Sequence, residues 1–422
     1  PGSRWGFFPV VSAGWRMSEE SFIKDNISFV SNLKLRASYG FTGNTEIGVY
    51  QSLATLDSYS YVIGDSQVTG FSPNRIPNPD LKWERTGQFD VGLDIGLWNN
   101  RLRITTDYYK KKTTDLLYSV AVPATSGYQT MLKNIGSIEN QGYELSIESD
   151  NLTGPFSWTT AFNISFNRNK VLELGGEDYK EMAEGDGHIK TGSVRRLIAG
   201  EPIGVFYGYR FDGIFQNEEE CKQQTSSASP IGVGLRRYKD LNGDGKVDAA
   251  NDREILGDAN PKFFGGLTNT FAYKGFELNV FLQYSYGNKI LNYNAMELEN
   301  PTGGQNAYAD MVNRWTPENP SNIYPKATTN RAILASDRFI EDGSYLKLKT
   351  LSLSYSFPKI NMKHIQGLRL YVTGQNLLTW TKYRGYDPEV SYRGASTLEA
   401  GEDFGGYPQS RTFMFGVKLD IK

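Results

Sequence analysis

The feature that most constrains this chain is a two-residue hydrophobic period recurring along its length, interrupted by links that alternate between short and long. The clearest unit is a hairpin. Phe89, Val91, Leu93 and Ile95 share one face of its first strand, and Gln88, Asp90, Gly92 and Asp94 share the other. Trp98-Asn99-Asn100-Arg101 turns the chain, and Leu102, Ile104, Thr106 and Tyr108 return opposite Arg103, Thr105 and Asp107. Successive strand residues point to opposite sides, so this spacing makes one mostly apolar face and one carrying charges of both signs. The pattern repeats where Tyr143, Leu145 and Ile147 alternate with Glu144, Ser146 and Glu148. After an Asn151-Leu152-Thr153-Gly154 turn it continues through Phe156, Trp158, Thr160, Phe162, Ile164 and Phe166. That run is about eleven residues, the length of a tilted strand crossing a bilayer.

Strands are expected at 5–16, 30–41, 84–97, 101–112, 142–150, 155–167, 262–273, 275–287, 344–357, 367–377 and 411–422. The links at 17–29, 98–100, 151–154, 274 and 358–366 (the last containing Pro358) are short; those at 42–83, 113–141, 168–261, 288–343 and 378–410 are long. Every long insertion therefore falls at the same end of its hairpin. A water-soluble sandwich has no reason to do this, whereas an outer-membrane barrel has short turns on one side and long loops on the other. In 344–357 the apolar phase slips from Leu346 and Leu348 to Leu351, Leu353 and Tyr355, which predicts a β-bulge near Lys349-Thr350. Phe413, Phe415, Val417, Leu419 and Ile421 alternate as a closing strand should. Single-chain bacterial barrels have even strand numbers, and here the first and last strands run the same way. With an opening at Pro1-Gly2-Ser3 that lacks Met and an apolar leader, the expectation is a piece of a longer polypeptide whose earlier strands lie upstream.

Composition removes the rivals of other classes. Mean hydropathy is −0.48, and no run of about 18 apolar residues exists to make a spanning helix. Strands that alternate look hydrophilic on average, so a barrel is compatible with that value. The 45 basic and 47 acidic residues nearly cancel, leaving no basic footprint for nucleic acid. A lone Cys221 excludes an internal disulfide. The two histidines, His188 and His364, have no metal-ligand or nucleophile spacing around them and read as ordinary polar residues. Glu218-Glu219-Glu220 reads as a solvated loop, and Gly232-Val233-Gly234 lacks the lysine of a phosphate loop. Nothing here assembles an active site, so the expectation is a protein that is not an enzyme.

Several segments carry a resemblance. Arg4-Trp5-Gly6-Phe7-Phe8-Pro9 with Ser12-Ala13-Gly14-Trp15-Arg16, then Leu35-Arg36-Ala37-Ser38-Tyr39-Gly40 with Thr42-Gly43-Asn44, resemble barrel segments of SusC/RagA-type TonB-dependent transporters of Bacteroidota. So do Asn78-Pro79-Asp80-Leu81-Lys82-Trp83-Glu84, Glu139-Asn140-Gln141-Gly142 and the stretch from Asp240 to Asp252. Asp342-Gly343-Ser344-Tyr345-Leu346-Lys347-Leu348-Lys349, Gly374-Gln375-Asn376-Leu377-Leu378-Thr379-Trp380 and Tyr386-Asp387-Pro388-Glu389 complete the set. The resemblance implies an all-β fold: a transmembrane antiparallel β-barrel of about 22 strands. Residues 1–422 would be its C-terminal portion, about eleven strands with long extracellular loops. The plug and the TonB-contacting segment would lie upstream. It also implies import of oligosaccharide or peptide, a surface lipoprotein partner of the SusD type, and a location in the cell outer membrane, in contact with its lipid.

One stretch carries its own chemistry. Asp240-Leu241-Asn242-Gly243-Asp244-Gly245-Lys246-Val247-Asp248 matches the first nine positions of an EF-hand-type calcium loop. Oxygens from Asp240, Asn242 and Asp244 would converge on a hard cation, Gly245 would permit the sharp turn, and the Lys246 carbonyl and Asp248 would add further oxygens. Position twelve is Asn251, and the carboxylate Asp252 falls one residue late. A bulge at Ala249-Ala250 would bring Asp252 to the ion, giving a structural Ca2+ that pins part of the 168–261 loop. Tyr59, Tyr61, Tyr293 and Tyr308 are candidates to stack on sugar rings, although loop aromatics more often pack loops together. Two other readings stay open: a passive porin, and a secreted calcium-binding, carbohydrate-binding β-protein.

Overall fold

The computed structural model describes residues 5–44, 53–122, 125, 128, 130–182, 191–300, 306–329, 333–357, 365–394, 396 and 398–421. His188, His364, Arg4 and Pro358 lie outside the described residues. Eleven strands form one antiparallel sheet in which each is hydrogen-bonded to the next in chain order. They are β1 (Val10–Arg16), β2 (Val30–Asn44), β3 (Glu84–Leu97), β4 (Leu102–Thr114), β5 (Ser137–Thr153), β6 (Phe156–Glu173), β7 (Phe263–Tyr273), β8 (Phe276–Tyr286), β9 (Tyr345–Ser356), β10 (Ile365–Thr381) and β11 (Thr412–Ile421). No helix among the described residues is long and apolar enough to cross a membrane.

All eleven expected strands are present, with different ends. β1 begins at Val10 rather than residue 5, β5 begins at Ser137 rather than 142, and β6 continues to Glu173. The extensions are mostly polar, with Ile138, Val171 and Leu172 the exceptions, so hydrophobic period is weak there. They are strands because the backbone ladder continues through Arg168↔Gln141, Asn169↔Asn140 and Lys170↔Glu139. The long links also have structure of their own, including a hairpin of Thr55–Ile63 with Ser66–Arg75 and another of Leu117–Ala121 with Thr130–Asn134.

The short turns follow from local chemistry. Lys274 and Gly275 have φ of +46° and +87°, the mirror-image turn whose twist suits a two-residue hairpin. Trp98, Asn99 and Asn100 all have positive φ between β3 and β4, where Asn tolerates the left-handed region better than most residues. The expected bulge is at Lys349. Pairing skips it against both neighbours, from Leu282↔Leu348 to Phe281↔Thr350 on one side and between Leu348 and Thr350 on the other. Because of that extra residue, Leu346, Leu348, Leu351 and Leu353 stay on one face.

Register then separates two faces across the sheet. Arg36, Gly92, Asp107 and Glu144 form one row. Arg36 pairs with Asp94 at 2.8 Å and with Asp107 at 3.0 Å. A Cβ on Gly92 would sit 2.1 Å from an Asp107 oxygen, so glycine there makes room for the ion pairs. The opposite face carries Trp15, Leu35, Tyr39, Phe89, Tyr143, Leu353, Leu370 and Phe415, all exposed. An apolar surface continuous over eleven strands far exceeds what a protein in water leaves uncovered, and is what a bilayer requires. Aromatic clusters border it at both ends. Phe156, Trp158, Phe271 and Tyr273 gather by the short turns, and Phe166, Phe263, Tyr284 and Tyr286 by the long links.

The largest buried apolar cluster among the described residues lies in the links. Val194, Phe206, Leu256, Leu291, Tyr293, Met296, Ile333 and Phe339 close on one another, with Phe404 packed against them. Three different long links thus share one core beyond the end of the sheet.

Candidate functional site in the long links

Three ion-pair nodes fasten these links to one another and to the sheet. At the first, Lys347 of β9 points to the polar face and is 1% exposed. Its Nζ donates to Asp387 Oδ1 at 2.6 Å and to Glu389 Oε2 at 2.5 Å, and Lys349 from the bulge donates to the same Glu389 oxygen at 2.7 Å. Tyr345 and Gln283 donate to the other Glu389 oxygen at 3.2 and 3.0 Å. Burial alone would raise the Glu389 carboxyl, but the hydrogen bonds and charges of the two lysines outweigh it and hold it below the usual range. The segment after β10 is thereby tied to the wall.

At the second node Glu299, 2% exposed, accepts from Arg338 and Arg384, each at 2.7 Å, and Arg384 also pairs with Glu341 at 2.8 Å. At the third, Arg195 is buried over the Phe206 ring and pairs with Glu402 at 2.7 Å, while Arg393 reaches the same carboxylate at 3.3 Å. Close by, the Tyr383 hydroxyl donates to Asp403, and burial together with that carboxylate pushes its pKa up. Each node joins residues far apart in sequence, and each supplies the counter-charge that a buried ion requires.

The six residues expected around a cation lie in a single loop. Asp240 accepts from the Gly243 and Gly245 amides, each at 2.7 Å; Asn242 accepts from Asp244 N–H at 3.1 Å, and Asp244 from Lys246 N–H at 2.8 Å. Gly245 has φ of +80°, the turn its position was expected to make. Asp248 accepts from the Ala250 and Asn251 amides and lies 3.2 Å from the Lys246 ammonium; the Asn251 amide and that lysine hold its carboxyl below the usual range. Asp252 is wholly buried, and its two oxygens accept from Leu241 N–H at 2.8 Å and Asp248 N–H at 2.7 Å. It fastens one side of the loop to the other through the backbone. The donor types suit calcium, but among the described residues no group of three His, Cys, Asp or Glu side chains is placed to hold a metal ion.

Of the expected stacking residues, Tyr59 and Tyr61 are exposed on the 55–75 hairpin, whereas Tyr293 is fully buried in the link core and Tyr308 packs against it. Tyr293 thus has no face to offer a sugar. The acidic run at 218–220 begins a short helix, Glu218–Lys222, rather than a loop. Asn217 caps it by accepting from Glu220 N–H, and Glu220 pairs with Arg237 at 3.4 Å. The ion-pair nodes went unforeseen, although both halves of the first lie inside segments already singled out, Lys347 with Lys349 and Asp387 with Glu389.

Comparison with known proteins agrees with this architecture. A family model described as TonB dependent receptor-like, beta-barrel matches residues 1–377. TonB-dependent receptor P3 of Formosa agariphila is 41% identical over 99% of this chain and 42% of its own length. TonB-dependent receptor SusC of Bacteroides thetaiotaomicron is 31% identical over 99% of this chain and 40% of its own. Among solved structures, the RagAB peptide transporter superposes with a TM-score of 0.80 at 27% identity, covering 99% of this chain and 44% of that one. The chain thus spans well under half the length of these relatives. It belongs to the TonB-dependent receptor β-barrel family of the outer membrane, in its SusC/RagA-type branch.

Proposed function

We propose that this chain supplies barrel wall and external loops to an energised importer of oligosaccharide or peptide across the outer membrane. The observation that carries the reading is the eleven-stranded meander, apolar on one face and charged on the other, with every long link at one end. Among the described residues, β1 and β11 each have one edge without a strand partner, and both strands are rich in exposed apolar residues. Such edges need partners, and the remaining length of the relatives is the natural source of further strands and a plug. TonB would act through that region, and a SusD-type lipoprotein would meet the long links from outside. The test is uptake of labelled oligosaccharides and peptides by cells with and without the gene, each with and without a protonophore. Loss of uptake on deletion and on protonophore treatment supports the reading. Uptake that needs the gene but ignores the protonophore supports the passive porin instead.

For the 240–252 loop we propose a structural calcium ion. The proposal is supported by the spacing of Asp240, Asn242, Asp244, Lys246 and Asp248 and by the positive φ of Gly245. Proteolysis of the 174–262 link is expected to slow in calcium and to lose that dependence in Asp240→Ala. Equal cleavage in calcium and in chelator contradicts it.

A further inference from the structure

Among the described arginines of the long links, Arg236 differs from its neighbours. Arg195, Arg210, Arg237, Arg338 and Arg384 all have a carboxylate within 3.4 Å. Arg236 has no carboxylate within ion-pair distance among the described residues; it donates instead to the Glu299 carbonyl at 3.0 Å and to Asn300 Oδ1 at 3.4 Å. A guanidinium carries five N–H donors in a rigid fork suited to a carboxylate. The adjacent charge does not satisfy it, because the Glu299 carboxylate is already shared by Arg338 and Arg384. Surrounding protein disfavours the Arg236 charge, with Tyr238 and Glu299 acting in the opposite sense.

Arg236 lines a cavity of about 160 Å³ together with Tyr238, Asn300, Pro230, Leu235 and Leu334. Most of that wall is apolar. The volume is well below the roughly 300 Å³ at which pockets begin to enclose whole drug-sized ligands, so it suits the end of a chain rather than its length.

We propose that this cavity receives the C-terminal residue of a short peptide, its carboxylate on Arg236 and an apolar side chain against Pro230, Leu235 and Leu334. Ser229, Tyr238, Asn300 and Thr328 add polar groups to the lining, but its larger part is apolar. A sugar ring would set several hydroxyls against carbon, whereas a terminal aliphatic residue fills that part and its carboxylate completes the ion pair. The inference rests on the importer reading for the presence of cargo at this end, and narrows that cargo to peptides with a free, apolar C-terminus.

The test is calorimetric titration of the purified receptor, as isolated with its own full chain and partner, with Ala-Leu, Ala-Leu amide and glucuronate. Ala-Leu is expected to bind at least about tenfold more tightly than the amide, the scale of a charge-assisted hydrogen bond. Arg236→Gln is expected to remove that preference. Ser229→Trp, which fills the cavity without altering the arginine, is expected to abolish Ala-Leu binding, with heat-modifiable gel mobility confirming an intact barrel. Equal affinity for acid and amide, undiminished binding to Arg236→Gln, or preference for glucuronate each overturns the assignment. Protonophore-sensitive uptake alongside such a result would leave the importer standing and remove only the peptide site; peptide binding without energised uptake would do the converse.

Discussion

Lys347 shows what a single residue does in the long-link assembly. It is a strand residue whose charge is almost fully out of water and is balanced by Asp387 and Glu389. Replacing it with Met leaves Asp387 without a cation and Glu389 with Lys349 as its remaining one, a change that typically costs about 3–5 kcal/mol. The expected outcome of Lys347→Met is rapid proteolysis within 382–411 while the barrel stays folded. Protonation acts on the same node. The Glu389 carboxyl is lowered from 4.5 in this fold, so its contribution is complete above roughly pH 5 and fades as pH falls toward the lowered value. Cleavage of 382–411 should therefore rise on acidification, and should lose that extra pH dependence in Glu389→Gln. Asp252 is a second case. Asp252→Ala leaves the half-buried Leu241 and Asp248 amides without their acceptor, at up to about 1–3 kcal/mol each, and should open the 240–252 loop to protease in calcium and in chelator alike. The acidic spacing of this loop was legible in the sequence, and so were the segments holding Lys347 and Glu389. Their pairing was not, because an ion pair across 42 residues leaves no periodic trace. Arg195 and Glu402, 207 residues apart, illustrate the same limit.

At the scale of elements, alternation carries most of the information. Strand existence, the bulge at Lys349 and the order of short and long links all follow from which positions are apolar. Strand ends were less legible, as in β6, where Arg168 to Lys170 extend the ladder without adding an apolar residue to the pattern. The 55–75 hairpin was also missed, although Val62-Ile63-Gly64-Asp65 contains a turn signal and Gly64 has φ of +62°. The two-face reading makes a paired prediction on β8. Val280 lies on the apolar face at mid-strand, and Asn279 on the polar one. Val280→Arg should cost about 2–4 kcal/mol, as charges do at the bilayer midplane of such barrels. Asn279→Arg should cost far less, since it adds one charge to a face already bearing both signs. Urea unfolding in lipid vesicles, followed by gel mobility, checks the pair.

The whole molecule inverts the arrangement of a water-soluble β-protein. Its sheet exposes apolar side chains on one face and sets ion pairs on the other, while the largest buried apolar cluster among the described residues sits in the links beyond the strand ends. That inversion is intelligible only if lipid covers the apolar face, and it is the claim on which the account depends. The most direct measurement is accessibility along β5 in the native outer membrane. In a Cys221→Ser background, single cysteines at 143, 144, 145, 146, 147 and 148 would be challenged with a charged maleimide that does not enter lipid. Labelling is expected at 144, 146 and 148, with protection at 143, 145 and 147. Uniform labelling, or labelling of the odd positions, would contradict a lipid-facing apolar surface and with it the transporter wall.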